Sequence, residues 1–112
     1  MRIDKLINTT RNILQLLVEK RYEELERLTD SERLSATMMR KAIEDYGRTL
    51  EMPDADPELD IVPITNNAER AWSIWIPLHT IEEGRSDLSL LLRISEKADG
   101  ELKTQIDDIR VL

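Results

Sequence analysis

Two adjacent carboxylates, Asp107 and Asp108, come nearest to chemistry in this 112-residue chain. Buried together, such a pair can share a proton or divide into an acid and a base. Tyr22 and Tyr46 are the only phenols that could join them. The competing use is structural, because carboxylates at a strand irregularity commonly serve open backbone groups or water. His79 is the single histidine and could act as a general base. No nucleophile is linked to it in sequence, and a histidine closing a hairpin beside Thr80 accounts for it as well. Arg85, within Gly84-Arg-Ser-Asp87, could hold an anion in a turn, yet Asp87 opposes one. An exposed bridge from Arg85 to a carboxylate, worth about 0–1 kcal/mol, is the plainer use. Acids alternate at Asp54, Asp56, Glu58 and Asp60, but the glycine that a calcium loop needs is missing. With no cysteine and one histidine, a thiol nucleophile, a disulfide framework and an HExxH zinc site are all excluded. No catalytic set, metal or cofactor is expected.

Charge narrows the partners. Residues 1–50 carry ten Lys and Arg against nine Asp and Glu, a net of +1. Residues 51–112 carry six against fourteen, a net of −8, so the second half holds the whole imbalance. The stretch from Glu51 to Asp60 has five acids and no base. Such a segment repels phosphates, so neither nucleic acid nor an anionic membrane is an expected partner. It is either a solvated loop or a surface for a basic protein. No apolar run is longer than Leu90 to Leu92, and residues 1–10 have no signal-like apolar stretch. A cytoplasmic protein is the expectation.

The elements that must position these residues divide into helices and then strands. Ile3, Leu6, Ile7, Thr10, Ile13, Leu14, Leu17 and Val18 recur at helical spacing, with Asp4 suiting the helix dipole. Tyr22 to Thr29 continues helical, with Tyr22, Leu25 and Leu28 on one side. Ser35 suits the N-cap of a third helix, Met39, Ala42, Ile43 and Tyr46 its inner face, and Gly47 its stop. The prolines and acids of residues 48–57 read as a loop. Leu59 to Thr65 reads as a short edge strand, because of Pro63, and Asn66 to Glu69 as a turn. The alternation around Trp72–His79 and Asp87–Ile94, followed by Leu102–Leu112, predicts three longer strands.

The register follows from that alternation. A hairpin turning at Glu82-Glu83-Gly84 pairs Leu78 with Leu88, Ile76 with Leu90 and Ile74 with Leu92, all on one face. Trp75 then meets Leu91 on the other face, among Ser73, Ser89, Arg93 and His79. A three-residue turn at Ala98-Asp99-Gly100 pairs Leu92 with Ile106. Regular pairing beyond that point would bury Asp108 and expose Ile109. A β-bulge at Asp107-Asp108 restores Ile109 opposite Leu90 and Val111 opposite Leu88. Trp75 with Leu91 in a polar frame is either an interface anchor or a cross-strand pair that shields the sheet.

Residues 1–112 thus form one α+β domain: helices within 1–47, an acidic loop at 48–57, and a curved antiparallel sheet over 58–112. This order resembles the NTF2-like, or cystatin-like cone, superfamily. The segments RLSATMMRKAIEDYG, WSIWIPLHTIEEGRSDLSLLLRI and QIDDIRVL resemble a small bacterial family of that fold. The resemblance implies several functions: isomerases or dehydratases that set an aspartate and a tyrosine inside the cone, small-ligand binders, or immunity proteins that neutralise secreted toxins. It also implies a homodimer through the outer sheet as one use of that face. The inward positions are Leu, Ile and Met, which fill a cone. The expectation is therefore an immunity protein that occludes a basic toxin, a nuclease, through Asp54, Asp56, Glu58, Asp60, Trp75, Glu82, Glu83 and Asp87.

Overall fold

A computed structural model describes residues 3–29, 33–64 and 70–112. Three helices come first: α1 (Ile3–Val18), α2 (Tyr22–Leu28) and α3 (Ala36–Tyr46). Five strands follow: β1 (Leu50–Glu51), β2 (Asp60–Ile64), β3 (Arg70–Thr80), β4 (Gly84–Glu96) and β5 (Leu102–Val111). The helices form where the 3.6-residue pattern predicts them. Leu6, Thr10, Ile13, Leu14 and Leu17 make the buried stripe of α1. Two residues of the expected faces are exposed instead: Ile3 at 57% and Leu28 at 68%, each at an outer end of its helix.

Ser35 caps α3, its side chain accepting from the Met38 N–H at 3.3 Å. Gly47 ends the helix at φ 75°, in the left-handed region. A Cβ at Gly47 would meet nothing within 4 Å, so a substitution there costs conformational energy alone. Gly47→Ala is expected to destabilise the protein by about 1 kcal/mol, read as a lower urea midpoint at unchanged slope.

All strand pairs are antiparallel, and β3, β4 and β5 are consecutive neighbours. Both β1 and β2 pair with β3, β2 along residues 71–75 and β1 at residues 79–80. The expected loop at 48–57 is thereby corrected. Leu50 and Glu51 pair with Thr80 and His79, and the irregular segment runs over residues 52–59. Pro63 lies on β2, which bonds only to β3, so its missing N–H is tolerated at an edge. The turn expected at Asn66–Glu69 lies outside the described residues.

The β3–β4 register has Ile74 opposite Leu92, Trp75 opposite Leu91 and Ile76 opposite Leu90. Nearer the turn it departs from the sequence expectation. His79 meets Arg85 and Thr80 meets Gly84, so Ser86, Asp87 and Leu88 all stand opposite Leu78. Ser86 is buried in this bulge, its hydroxyl donating to the Leu78 carbonyl at 2.6 Å and accepting from the Leu88 N–H at 3.2 Å. In β5 the bulge falls at Asp107: Leu92 pairs with Ile106, Leu91 with Asp108, Leu90 with Ile109 and Leu88 with Val111. Val111 is nevertheless 56% exposed, beyond the cover of the helices.

One apolar cluster joins the helices to a single face of the sheet. Leu6, Leu17, Leu25, Met39, Ile74, Ile76, Leu90, Leu92 and Ile106 are essentially inaccessible within it. Burial of side chains this size stabilises by roughly 1.5–3 kcal/mol each. No described helix is long and apolar enough to cross a membrane.

Candidate functional site

The other face of the sheet carries the odd-numbered residues of β3. Ser73, Trp75, Pro77 and His79 are half-buried, and from Ile74 to Thr80 the even-numbered residues between them are buried. Trp75 pairs with Leu91 on β4 and with Asp60 on β2. Arg110 of β5 lies over the indole, its guanidinium carbon 5.3 Å from the ring centroid. The same arginine reaches Asp108 at 3.6 Å. Val62, 49% exposed, extends the apolar strip along β2. This face therefore holds a tryptophan, a leucine and a valine among serines and charged groups.

The acidic segment folds against one end of this face. A hollow of about 220 Å³ is bounded by Glu58, Asp60, Trp75, Pro77, Arg85 and Leu112. A neighbouring hollow of about 380 Å³ takes in Glu51, Asp54, Asp56, Glu58, His79 and Arg85. Tryptophan and acids, which sequence alone could not bring together, thus meet through Glu58 and Asp60. The acids differ in their partners. Asp56 is ion-paired with Arg11 of α1, and Glu58 with Arg85 at 3.0 Å. Among the described residues no ion pair engages Glu51, Asp54 or Asp60, so these three keep uncompensated charge. Arg85 serves as the bridge expected of it, although to an acid 27 positions away.

Glu82 and Glu83 do not join this group. The Glu82 carboxylate accepts from the Thr49 N–H at 2.8 Å and from its hydroxyl at 3.0 Å. The Thr49 N–H holds its pKa below the ordinary carboxylate value. Glu83 accepts from the Tyr46 hydroxyl at 3.2 Å. Both therefore tie the β3–β4 turn to the segment that follows α3. Asp87 lies exposed within the β4 bulge, and its carbonyl accepts from the Leu112 N–H at 3.2 Å.

Among the chemical candidates, Asp107 lies at the β5 bulge with Oδ1 buried and lacking a hydrogen-bond partner, 3.8 Å from the Arg33 Nε. Desolvation raises its pKa, and Arg33 opposes the rise. Asp108 accepts from the Ile109 N–H at 2.9 Å, the backbone service expected at a bulge. Tyr46 is committed to Glu83, so no hydrogen bond joins it to either aspartate. His79 stands across from Glu51 and Arg85, with no nucleophile bonded to it. Among the described residues no group of three His, Asp or Glu side chains could hold a metal ion.

Asp107 makes a prediction about pH. Its folded-state pKa is raised, so its contribution favours the folded state most below the unfolded pKa and is lost as pH rises through the folded value. Asp107→Asn is therefore expected to raise Tm at pH 7, with the gain shrinking towards pH 3. Thermal melts of both proteins across that range check it.

Arg110 and Glu51 escaped the sequence reading of this site. Arg110 was within reach of it, since the β5 bulge places Arg110 opposite Ser89 beside Trp75. Glu51 required the pairing of β1, which two residues are too few to signal.

A family model described as a domain of unknown function, DUF7668, matches residues 14–112. No curated protein and no solved structure matches the chain.

Proposed function

The chain belongs to the DUF7668 family, whose function is unknown, and from that premise we propose that it is a protein-binding domain, an immunity protein that occludes a basic toxin. The observation that carries this is one constellation: Trp75, half-buried on the helix-free face, shares a hollow with Glu58 and Asp60. Tryptophan is among the residues enriched as interface anchors, and here it stands in a polar frame. Glu51, Asp54 and Asp60, which form no ion pair among the described residues, add negative charge. A nuclease must hold phosphates and so presents a basic cleft. An acidic inhibitor is steered onto such a cleft and covers it. The binding set in this proposal is Asp54, Asp56, Glu58, Asp60 and Trp75, extended by Glu51. Glu82 and Glu83 position the hairpin beside it, and Asp87 flanks it.

The proposal places the fold among the NTF2-like cones, supported by the order of helices and strands and by the bulged last strand. It places the protein in the cytoplasm, where such a toxin would act, with no nucleic-acid or membrane partner. The side chains between the helices and the sheet are mostly buried Leu, Ile and Met, which supports partner binding over a small-ligand or isomerase role.

The test is protection. Cells expressing the toxin domain encoded beside this gene should survive when the protein is co-expressed, and the two should co-purify. Solution mass of the protein alone separates the rival use of the face. A dimer that Trp75→Glu dissociates, without any protection by the parent, assigns the face to self-association and withdraws the immunity role.

A further inference from the structure

Between the end of α1, α3 and β1 lies a hollow of about 290 Å³ that shares no lining residue with those around Trp75. Its floor is apolar, built by Leu17 and Ile43. Its rim carries three cations, Lys20, Arg40 and Arg48, against one carboxylate, Glu44. In a chain of net charge −7 this is a local inversion of sign. Arg40 is partly committed, pairing with Glu23 at 3.0 Å and lying 5.5 Å from the Tyr22 ring centroid. Among the described residues, Lys20 and Arg48 form no ion pair. Tyr22 is 3% exposed, and its hydroxyl, which forms no hydrogen bond among the described residues, keeps contact with solvent. Burial raises its pKa, the Glu44 carboxylate adds to the rise and Arg40 opposes it.

The backbone supplies a second, independent observation. Lys20 has φ 60°, the one positive value at a non-glycine residue among those described. Its N–H donates to the Leu17 carbonyl at 3.0 Å, and the Arg21 N–H donates to the Leu16 carbonyl at 2.9 Å. These two bonds close α1 in a Schellman motif, and glycine is the residue that fits its left-handed position without strain. Lysine there is strained, and it is one of the residues that line the hollow. Strain held at one residue points to a use for its side chain.

We propose that this hollow binds a small organic anion, its carboxylate held by Lys20, Arg48 and the Tyr22 hydroxyl, its apolar body lying on Leu17 and Ile43. Charge-assisted bonds from two cations and a phenol give the head group its affinity. A pocket of this size with an apolar floor and a few convergent polar groups is the form that small-molecule sites take. The site is separate from the Trp75 face and does not depend on toxin binding.

Titration of the 15N-labelled full chain with benzoate, and separately with inorganic phosphate, tests it. Benzoate is expected to shift the amides of Lys20, Gly47, Arg48 and Thr49 along a saturable curve. Phosphate, which cannot use the apolar floor, should bind roughly tenfold more weakly or worse. Lys20→Gly should retain or raise Tm while weakening benzoate about tenfold, a pairing that a merely structural lysine would not produce. Arg48→Gln, at an exposed position, should weaken benzoate similarly, and it decides the matter if Lys20→Gly fails to fold. The proposal is overturned if benzoate gives no saturable shifts, if phosphate binds as well, or if the folded variants bind benzoate like the parent.

Discussion

Reversing Glu51, Asp54 and Asp60 to lysine together is expected to slow association with the basic partner roughly 10–1000-fold at low salt. These three are chosen because no described ion pair holds them. Asp56 and Glu58 pair with Arg11 and Arg85, so changing them would also break exposed ion pairs, each worth about 0–1 kcal/mol, and mix two effects. The triple variant should melt close to the parent, since exposed charges away from such pairs carry little stability. Its remaining affinity should also lose the salt dependence of the parent. Trp75→Ala is expected to act on the other rate. It removes an anchor worth about 2 kcal/mol or more, roughly thirtyfold in affinity, mainly through faster dissociation. Stopped-flow or surface-based kinetics against the neighbouring toxin domain at two salt concentrations would separate the effects. If the triple variant associates as fast as the parent and binding ignores salt, the acidic strip is not the contact surface.

Leu90→Ala is expected to destabilise the domain by about 2–5 kcal/mol. Leu90 is inaccessible to solvent, between Ile76 and Ile109 on the adjacent strands and beneath the helices. For a domain whose whole stability is about 5–15 kcal/mol, that loss is a large fraction and brings partial unfolding at 37 °C. Urea titration gives the number. A loss below about 1 kcal/mol would mean that the space beneath the helices collapses easily or is already loose. That outcome would restore a ligand-binding cone as the better account of function.

The period-two pattern made most of the sheet readable. The β5 bulge was legible because a single extra residue reverses every side chain beyond it. Without one, Ile109 would face solvent and Asp108 the core, and Asp107 is where the chain absorbs the excess. The bulge in β4 was not legible for the same reason turned round. Ser86, Asp87 and Leu88 stand opposite Leu78 alone, an excess of two residues, and an excess of two leaves the alternation unbroken. β1 has no period to detect in two residues. The meeting of Trp75 with Asp60 depends on the register of β2 against β3, which hydrophobic pattern in a five-residue edge strand does not set. The hollow beside Lys20 was hidden for another reason: its residues come from three helices, the turns after α1 and α3, and β1, and no spacing links them.

The alternation along β3 has a consequence for how the protein can change over generations. Ile74, Ile76 and Leu78 anchor the core, while Ser73 and Trp75, interleaved with them, stand outside it; Pro77 and His79 border a small gap against Leu14, Leu17 and Val18 of α1. Substitutions at Ser73 and Trp75 leave the core set untouched, because each side chain leaves the backbone on the opposite side of the sheet. The acidic segment of residues 52–59 is likewise held at both ends by strands on one edge of β3, so its side chains can be rewritten on a fixed frame. Recognition and folding are thus written in alternate letters of one strand. A lineage can retarget the face against a drifting adversary while the scaffold stays under its own, separate selection.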